Sequence, residues 1–463
     1  MASGAEDRGS RRSVAIMGAG GRDFHNYLTV FRDDETYEVV AFTAAQIPGI
    51  ANRVFPASLA GPSYPAGIPI LPEEQLPGLA RSHRLDEIVL AYSDLAHEDV
   101  MHKASVALAA GADFRLLGPA STYLKSTKPL IAVCAVRTGC GKSQTARRLT
   151  SLLADQQLRP VVVRHPMPYG ELEAMRVQRF ASRADIDAAS PTLEEREEYE
   201  AHVDAGVVVY AGVDYADILA QAEAEADVIV WDGGNNDFPF FEPDLLITVV
   251  DPLRPGHECA YHPGEATLRM ADVVLVNKVN AAEADAVSEV ITAVATANPT
   301  AVIVRAASDV TLADGPPLRD RRVLVVEDGP TLTHGGMPFG AGAVAAREAG
   351  VAELVDPRPF AVGSIASTFA EYPNLGPVLP AMGYSAAQLL ELAATINATP
   401  CDVVVIGTPV DLARVISIEQ ATRRAVYALR ELGSPMLADV TESLVARART
   451  IKDDAGAAPE RRR

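Results

Sequence analysis

Residues 129–155, PLIAVCAV-RTGCGKS-QTARRLTSLLAD, decide how this chain folds. PLIAVCAV (129–136) is an unbroken apolar run of strand length, and the stretch from Lys142 onward has helical periodicity. Between them, Arg137-Thr-Gly139-Cys140-Gly141-Lys142-Ser143 turns a strand into a helix. That order builds a site for a nucleotide triphosphate. Gly139 and Gly141 let successive backbone N–H groups face phosphate oxygens with no Cβ in the way. Lys142 reaches the β- and γ-phosphates, Ser143 ligates Mg²⁺, and the helix N-terminus adds its partial positive charge. Cys140 and Gln144 belong to the same phosphate-binding stretch. The full pattern G-x-x-x-x-G-K-[ST] is not met, because Val136 stands at its first position. The shorter variant K-G-G-x-G-K-[ST] fits, with Arg137 where that variant carries its extra lysine.

Downstream, apolar runs recur at 160–164, 207–211, 227–231, 245–250, 272–276, 301–305 and 322–326. Runs without alternation are strands buried on both faces, hence a mainly parallel sheet. The charged stretch 171–203 reads as solvated helices in an insertion. Upstream, SVAIM (13–17) leads into Gly18-Ala-Gly20-Gly21-Arg22, and an alternating βα pattern follows to about residue 127. That glycine loop lacks the third glycine of a dinucleotide fingerprint, although Arg22 and His25 beside it suit an anion. The expected fold is α/β: an N-terminal Rossmann-like domain, 13–127, then a larger P-loop NTPase domain, 128–327, with a mainly parallel sheet. Residues 328–451 form a C-terminal α/β region, separate or continuous with the P-loop domain, with a buried strand at 402–406 and helices at 418–432 and 440–451. Residues 1–12 and 452–463 read as disordered tails.

Several strand ends carry chemistry. VIVWD-GG (228–234) places Asp232 beside the phosphate loop, facing Mg²⁺ or the attacking group, with Asn235 and Asn236 as substrate contacts. VLVNKVN (274–280) resembles the signature that reads guanine, but Asn280 stands where an Asp is needed. An Asn offers one acceptor and a donor where guanine presents two donors, and a buried unpaired donor costs about 1–3 kcal/mol. ATP is therefore expected over GTP, with Asn277 and Lys278 cradling the base. Arg164, His165, Arg254 and His257 also follow strands, and strand C-terminal ends converge on one edge of a parallel sheet. With Arg137 and Lys278 they form one expected cleft for a substrate carrying several phosphates.

The 463 residues hold 41 Lys+Arg against 61 Asp+Glu, a net charge of −20. A chain this acidic is repelled by nucleic acid and by anionic membranes, so neither is an expected partner. Cys134, Cys140, Cys259 and Cys401 are far apart and make neither a disulfide framework nor a zinc pattern. With no apolar run near roughly 18 residues and no signal-peptide core, the expected location is the cytoplasm.

Taken together, VRTGCGKSQTARR (136–148), RHPMPYG (164–170), DGGNND (232–237), DPLRPGHE (251–258), YHPGE (261–265), LRMADVVLVNKVN (268–280) and EDGPTLTHGGM (327–337) resemble the cyclic 2,3-diphosphoglycerate synthetase family. The GRDFHNYL segment (21–28) extends the likeness into the first domain. The resemblance implies an enzyme that uses ATP to join the two phosphates of 2,3-diphosphoglycerate, releasing ADP and phosphate. It implies Lys142, Arg137, Asp232 and His165 as catalytic residues, Ser143 and Asp232 at the metal, and Arg164, His165, Arg254 and His257 clamping a phosphorylated small molecule. ATP, Mg²⁺ and K⁺ are the expected cofactors, and a homodimer the expected assembly. Two other readings fit the same loop: a nucleotide-switched chaperone GTPase, and a ligase acting on another phosphorylated or carboxylated metabolite.

Overall fold

In the computed structural model the described residues are 11–45, 52–165, 170–234, 236–333, 335–383 and 385–457. Most of the predicted apolar runs become strands with both faces covered, as their length and β-branched content require, whereas Val302–Leu312 leaves Val302 and Arg305 exposed. Arg12–Met17 is the central strand of a six-stranded sheet, parallel to Tyr37–Ala44 on one side and Glu87–Leu90 on the other. Ile68–Pro72 and Asp113–Leu116 extend it in parallel, and Arg53–Phe55 closes one edge antiparallel.

A second sheet of thirteen strands holds the phosphate loop. Leu130–Ala135, all six residues buried, lies between Val228–Trp231 and Leu245–Val250, parallel to both. Pro160–Val163 and Val208–Ala211 continue one flank; Val273–Val276 and Val302–Leu312 continue the other. Beyond Val302–Leu312 the sheet does not stop. That strand pairs antiparallel with Ala421–Glu431, and Val403–Ile406 and Arg322–Asp328 follow in parallel. The C-terminal α/β region thus continues the sheet of the phosphate-loop lobe.

Three expectations change. Residues 418–432 were expected to be a helix, yet Ala421–Glu431 is a strand. Its Ala, Arg, Leu and Glu content favours helix locally, but seven paired positions against Val302–Leu312 outweigh propensity. The stretch 171–203 is solvated only in its first part, 171–190, where most residues are exposed. Its helix Leu193–Asp204 buries Glu194, Glu195, Tyr199, Glu200 and His202, with Glu200 meeting Arg196, Tyr199 stacked on Phe180 and His202 hydrogen-bonded to Asp232. Finally, the last helix runs Leu437–Ala457, so 452–457 is helical rather than tail, and Lys452 reaches Asp227 at 3.0 Å. Residues 1–10 and 458–463 lie outside the described residues.

Candidate functional site: a phosphate loop between three strand-end layers

The helix Lys142–Asp155 begins directly at the loop, with Gly141 as its N-cap at φ +110°. A Cβ on Gly141 would stand 2.1 Å from Asn277 Nδ2, so both backbone geometry and space require glycine there. Asn277 is fully buried and donates to the Cys140 carbonyl at 2.8 Å, while Lys278 donates to the Gly139 carbonyl at 2.6 Å. These two residues, expected to cradle the base, brace the loop backbone. Asn280 exchanges hydrogen bonds with the Ser308 backbone, donating to its carbonyl at 3.3 Å and accepting from its N–H at 3.0 Å. An Asp at that position has no donor for the first of these. Gln144, nearly buried, accepts from Ser308 Oγ at 3.2 Å. Burial pushes the Cys140 thiol up to about 11, so it stays protonated and its backbone is what the loop uses.

Lys142 Nζ donates to the Asp232 carbonyl at 2.5 Å, to Asp232 Oδ1 at 3.2 Å and to the Gly233 carbonyl. Asp232, fully buried, also meets Arg164 at 2.5 Å and His202 Nε2 at 2.9 Å. Burial alone would raise its carboxyl; Arg164 and Lys142 together hold it well below the usual range. Arg164 is 1% exposed and is shared with Glu198, whose carboxylate lies 2.5 Å away. Glu198 and His202 are one helical turn apart on Leu193–Asp204, which is why one helix grips both Arg164 and Asp232.

The other predicted cations also meet acids. Arg254 lies 3.1 Å from Asp251, and Lys278 lies 2.7 Å from the same carboxylate. Arg254 further donates to the Thr138 carbonyl at 2.9 Å. Arg137 meets Asp94 of the first domain at 2.7 Å and His257 Nδ1 at 3.1 Å. Burial, then the Arg137 charge, lowers the His257 pKa, which suits a neutral ring accepting from that arginine. His165, buried, is so close to the first domain's glycine loop that a Cβ on Gly21 would fall 1.8 Å from its Nε2. Asn236 lies 2.9 Å from Thr138 Oγ1; Asn235 lies outside the described residues. The predicted residues are therefore gathered around the loop, and Arg137, Arg164, Arg254 and Lys278 are each paired with a carboxylate there.

Ser143, half-buried at the helix start, fits the oxygen ligand that Mg²⁺ prefers. Asp232 does not fit as a direct metal contact in this arrangement, since both its oxygens are engaged by Lys142, Arg164 and His202. Among the described residues, no group of three or more His, Cys, Asp or Glu is placed to hold a metal ion. Nor is any described helix long and apolar enough to cross a membrane.

Sequence reasoning missed four contributors. Asp94, Glu198 and His202 come from regions with no motif, Tyr261 opens the YHPGE stretch but was given no role, and only the burial of Leu193–Asp204 reveals two of them. It also gave the first domain's glycine loop an anion. There the Asp23 carboxylate takes the place, accepting from Gly20 N–H at 2.8 Å, Gly21 N–H at 3.1 Å and Phe24 N–H at 2.7 Å. Arg22 turns away to Asp237 at 3.0 Å and the Phe238 carbonyl at 2.6 Å, joining the two domains. Opposite the loop, Thr331 lies against Gly139 and donates to Asp328 at 2.5 Å. Burial, with Asp328 beside it, raises the Glu197 carboxyl well above its ordinary value, and Thr408 donates to it.

A glycine loop opening a helix at the C-terminal end of the central parallel strand defines the class: a P-loop nucleotide-binding α/β protein. No protein-family model matches the chain. It is 55% identical over 432 residues, 93% of this chain and 96% of the relative, to arginine synthetase ArcE of Thermococcus kodakarensis. The chain belongs to that family. Among solved structures, LpxK from Aquifex aeolicus in complex with ATP is 13% identical with a TM-score of 0.42, covering 71% of this chain and 90% of LpxK. The hydrogenase maturation factor HypB from Archaeoglobus fulgidus is 14% identical with a TM-score of 0.26, covering 39% of this chain and 81% of HypB. At these scores the structural likeness carries no inference about activity.

Proposed function

We propose that this protein is an ATP-dependent synthetase whose product is arginine. The observation that carries this reading is the 55% identity, along nearly the whole chain, to a relative named arginine synthetase. Chemistry supplies the route. A guanidino group differs from a ureido group by one nitrogen in place of one oxygen. Phosphorylating that oxygen with the γ-phosphoryl group of ATP makes it a leaving group. Ammonia then attacks the same carbon, phosphate departs, and the nitrogen gives up a proton; citrulline, ammonia and ATP become arginine, ADP and phosphate. Positioning and charge neutralisation carry such a transfer, without a protein nucleophile. Gly139, Gly141, Lys142 and Ser143 would hold the nucleotide with Mg²⁺, Arg137 the transferring charge. Mg²⁺ would offset phosphate charge and orient the γ-phosphoryl group. Asp232 keeps Lys142 and Arg164 in register.

Charge pairing around the loop supports an acceptor without phosphates. Two phosphates at about 4 Å repel by roughly 1 kcal/mol per unit charge pair even in water, and more in a dry site. A diphosphorylated acceptor needs cations in excess, whereas Arg164, Arg254 and Lys278 already meet Asp232, Glu198 and Asp251. The second reading, cyclisation of 2,3-diphosphoglycerate, rests on the motifs at 136–148, 164–170 and 251–258.

One assay separates the two. ADP release is measured with citrulline plus ammonium and with 2,3-diphosphoglycerate, in K⁺ and in Na⁺ buffers, with arginine read chromatographically and cyclic product by phosphorus NMR. Arginine formation, abolished by Lys142→Ala, is the expected result. A cyclic phosphoanhydride instead would establish the second reading, and neither product would remove both. A homodimer in the cytoplasm is the proposed assembly and location, the former tested by light scattering on a sizing column.

A further inference from the structure

The first domain reaches the phosphate loop beside Asp94. Leu95–Ala96 pairs antiparallel with Tyr261–His262, and the His97 N–H donates to the Ala260 carbonyl at 3.0 Å. This small clasp carries a residue on each side of Arg137. From the first domain, Asp94 Oδ1 accepts from Arg137 Nε at 2.7 Å, and its Oδ2 accepts from Thr138 Oγ1 at 2.8 Å. From the second, the Tyr261 ring lies under the guanidinium, 3.7 Å from its centre. His257 closes the remaining edge at 3.1 Å. Arg137 is 7% exposed, so it has one orientation available.

Asp94 itself sits at φ +58°, a left-handed conformation that costs most residues about 1 kcal/mol or more and that, after glycine, Asn and Asp visit most readily. Its two oxygens divide between the first two residues of the loop, Arg137 and Thr138. A surface ion pair has no need of such a bidentate fit or of a specialised backbone.

We propose that Asp94 is a positioning residue for phosphoryl transfer: with Tyr261 it holds the Arg137 guanidinium towards the γ-phosphate, so that the first domain completes the catalytic site in cis. The role rests on the phosphoryl-transfer reading of the loop, not on the identity of the acceptor. An arginine that meets charge only as it develops contributes to kcat more than to nucleotide binding. Holding it in place beforehand removes the entropy of ordering a flexible side chain at the moment of reaction.

The test compares Asp94→Asn, Tyr261→Leu, Arg137→Ala and the double variants in the full-length chain. The readouts are kcat for ADP release, the dissociation constant of a fluorescent ATP analogue, and the melting temperature. Asp94→Asn keeps the size of the side chain and removes its charge. Its kcat is expected to fall on the order of 100-fold, the scale of losing one oriented group at developing charge, with nucleotide affinity within about threefold of wild type, well under one such step. Arg137→Ala is expected to cost at least as much, and combining the two to cost little more than Arg137→Ala alone, since residues acting as a unit are not additive. Tyr261→Leu should behave in the same manner with a smaller loss, and it carries the test if Asp94→Asn unfolds. Wild-type kcat in Asp94→Asn, or a loss that multiplies with that of Arg137→Ala, overturns the positioning role. Wild-type kcat in Arg137→Ala overturns it too, whereas the loop's own role in turnover stands or falls separately with Lys142→Ala.

Discussion

Asp232 shows how one carboxylate can organise the cations of a site. It faces Lys142, Arg164 and His202 from a fully buried position, and Arg164 in turn leans on Glu198. Charges taken out of water are tolerable only when each is paired and hydrogen-bonded. Asp232→Ala leaves Arg164 buried with one partner, so the variant is expected to lose about 3–5 kcal/mol of unfolding free energy, the range for breaking a buried pair. Lys142→Ala removes a cation from the mouth of the network and should leave stability within about 1–2 kcal/mol of wild type, since Arg164 still compensates Asp232. Urea denaturation of both variants checks the contrast; equal losses would mean that Arg164 and Glu198 suffice for each other.

At the scale of elements, strand-to-helix junctions recur through this chain and are filled in different ways. After Leu130–Ala135 the loop carries glycines and Lys142. After Arg322–Asp328 a carboxylate supplies the anion: Glu327 accepts from the N–H groups of Gly340 and Gly342 at 3.1 Å and of Ala343 at 2.7 Å, opening the helix Ala341–Glu348. Burial outweighs those three hydrogen bonds and raises the Glu327 carboxyl from an ordinary 4.5 to about 6. A group with a raised folded-state value binds its proton more tightly folded than unfolded. Its contribution is therefore complete below about pH 4.5 and is lost as the pH rises through about 6. The lost amount is about 2 kcal/mol, at 1.36 kcal/mol per unit. Unfolding free energies measured from pH 4.5 to 7.5 should fall more steeply in the wild type than in Glu327→Gln. Parallel curves would show that Glu327 is not the group titrating there.

For the whole molecule, the decisive pairing is Val302–Leu312 with Ala421–Glu431, which joins the phosphate-loop lobe to the C-terminal lobe in one sheet of thirteen strands. A chain ending at residue 327 exposes the edge of Val302–Leu312, and a long open edge invites aggregation. That truncation is expected to be insoluble or to elute as large aggregates, whereas the full chain should unfold in these lobes as one unit. Trp231, the only tryptophan of the sequence, is fully buried beside the loop and reports one lobe. Its fluorescence and far-ultraviolet circular dichroism should therefore trace the same denaturation midpoint; two separated midpoints would mean that the antiparallel junction is not cooperative.

Much of this was legible in the chain itself. Leu130–Ala135, Val228–Trp231, Leu245–Val250 and Val273–Val276 announce themselves because strands buried on both faces need continuous apolar residues. The loop at 137–143 is legible because glycine, lysine and serine are each irreplaceable there on local grounds. Ala421–Glu431 was not, because its composition favours helix and only a distant partner strand decides otherwise. Nor did the sequence disclose that Arg137, Arg164 and Arg254 are each paired with a carboxylate. Their carboxylates lie 43 residues upstream in Asp94, 34 and 68 downstream in Glu198 and Asp232, and one turn away in Asp251. Local sequence determined where a phosphate would bind, since backbone conformation and steric freedom are properties of neighbours along the chain. Tertiary structure alone decided how much positive charge remains for a second substrate, since electrostatic compensation depends on distance in space.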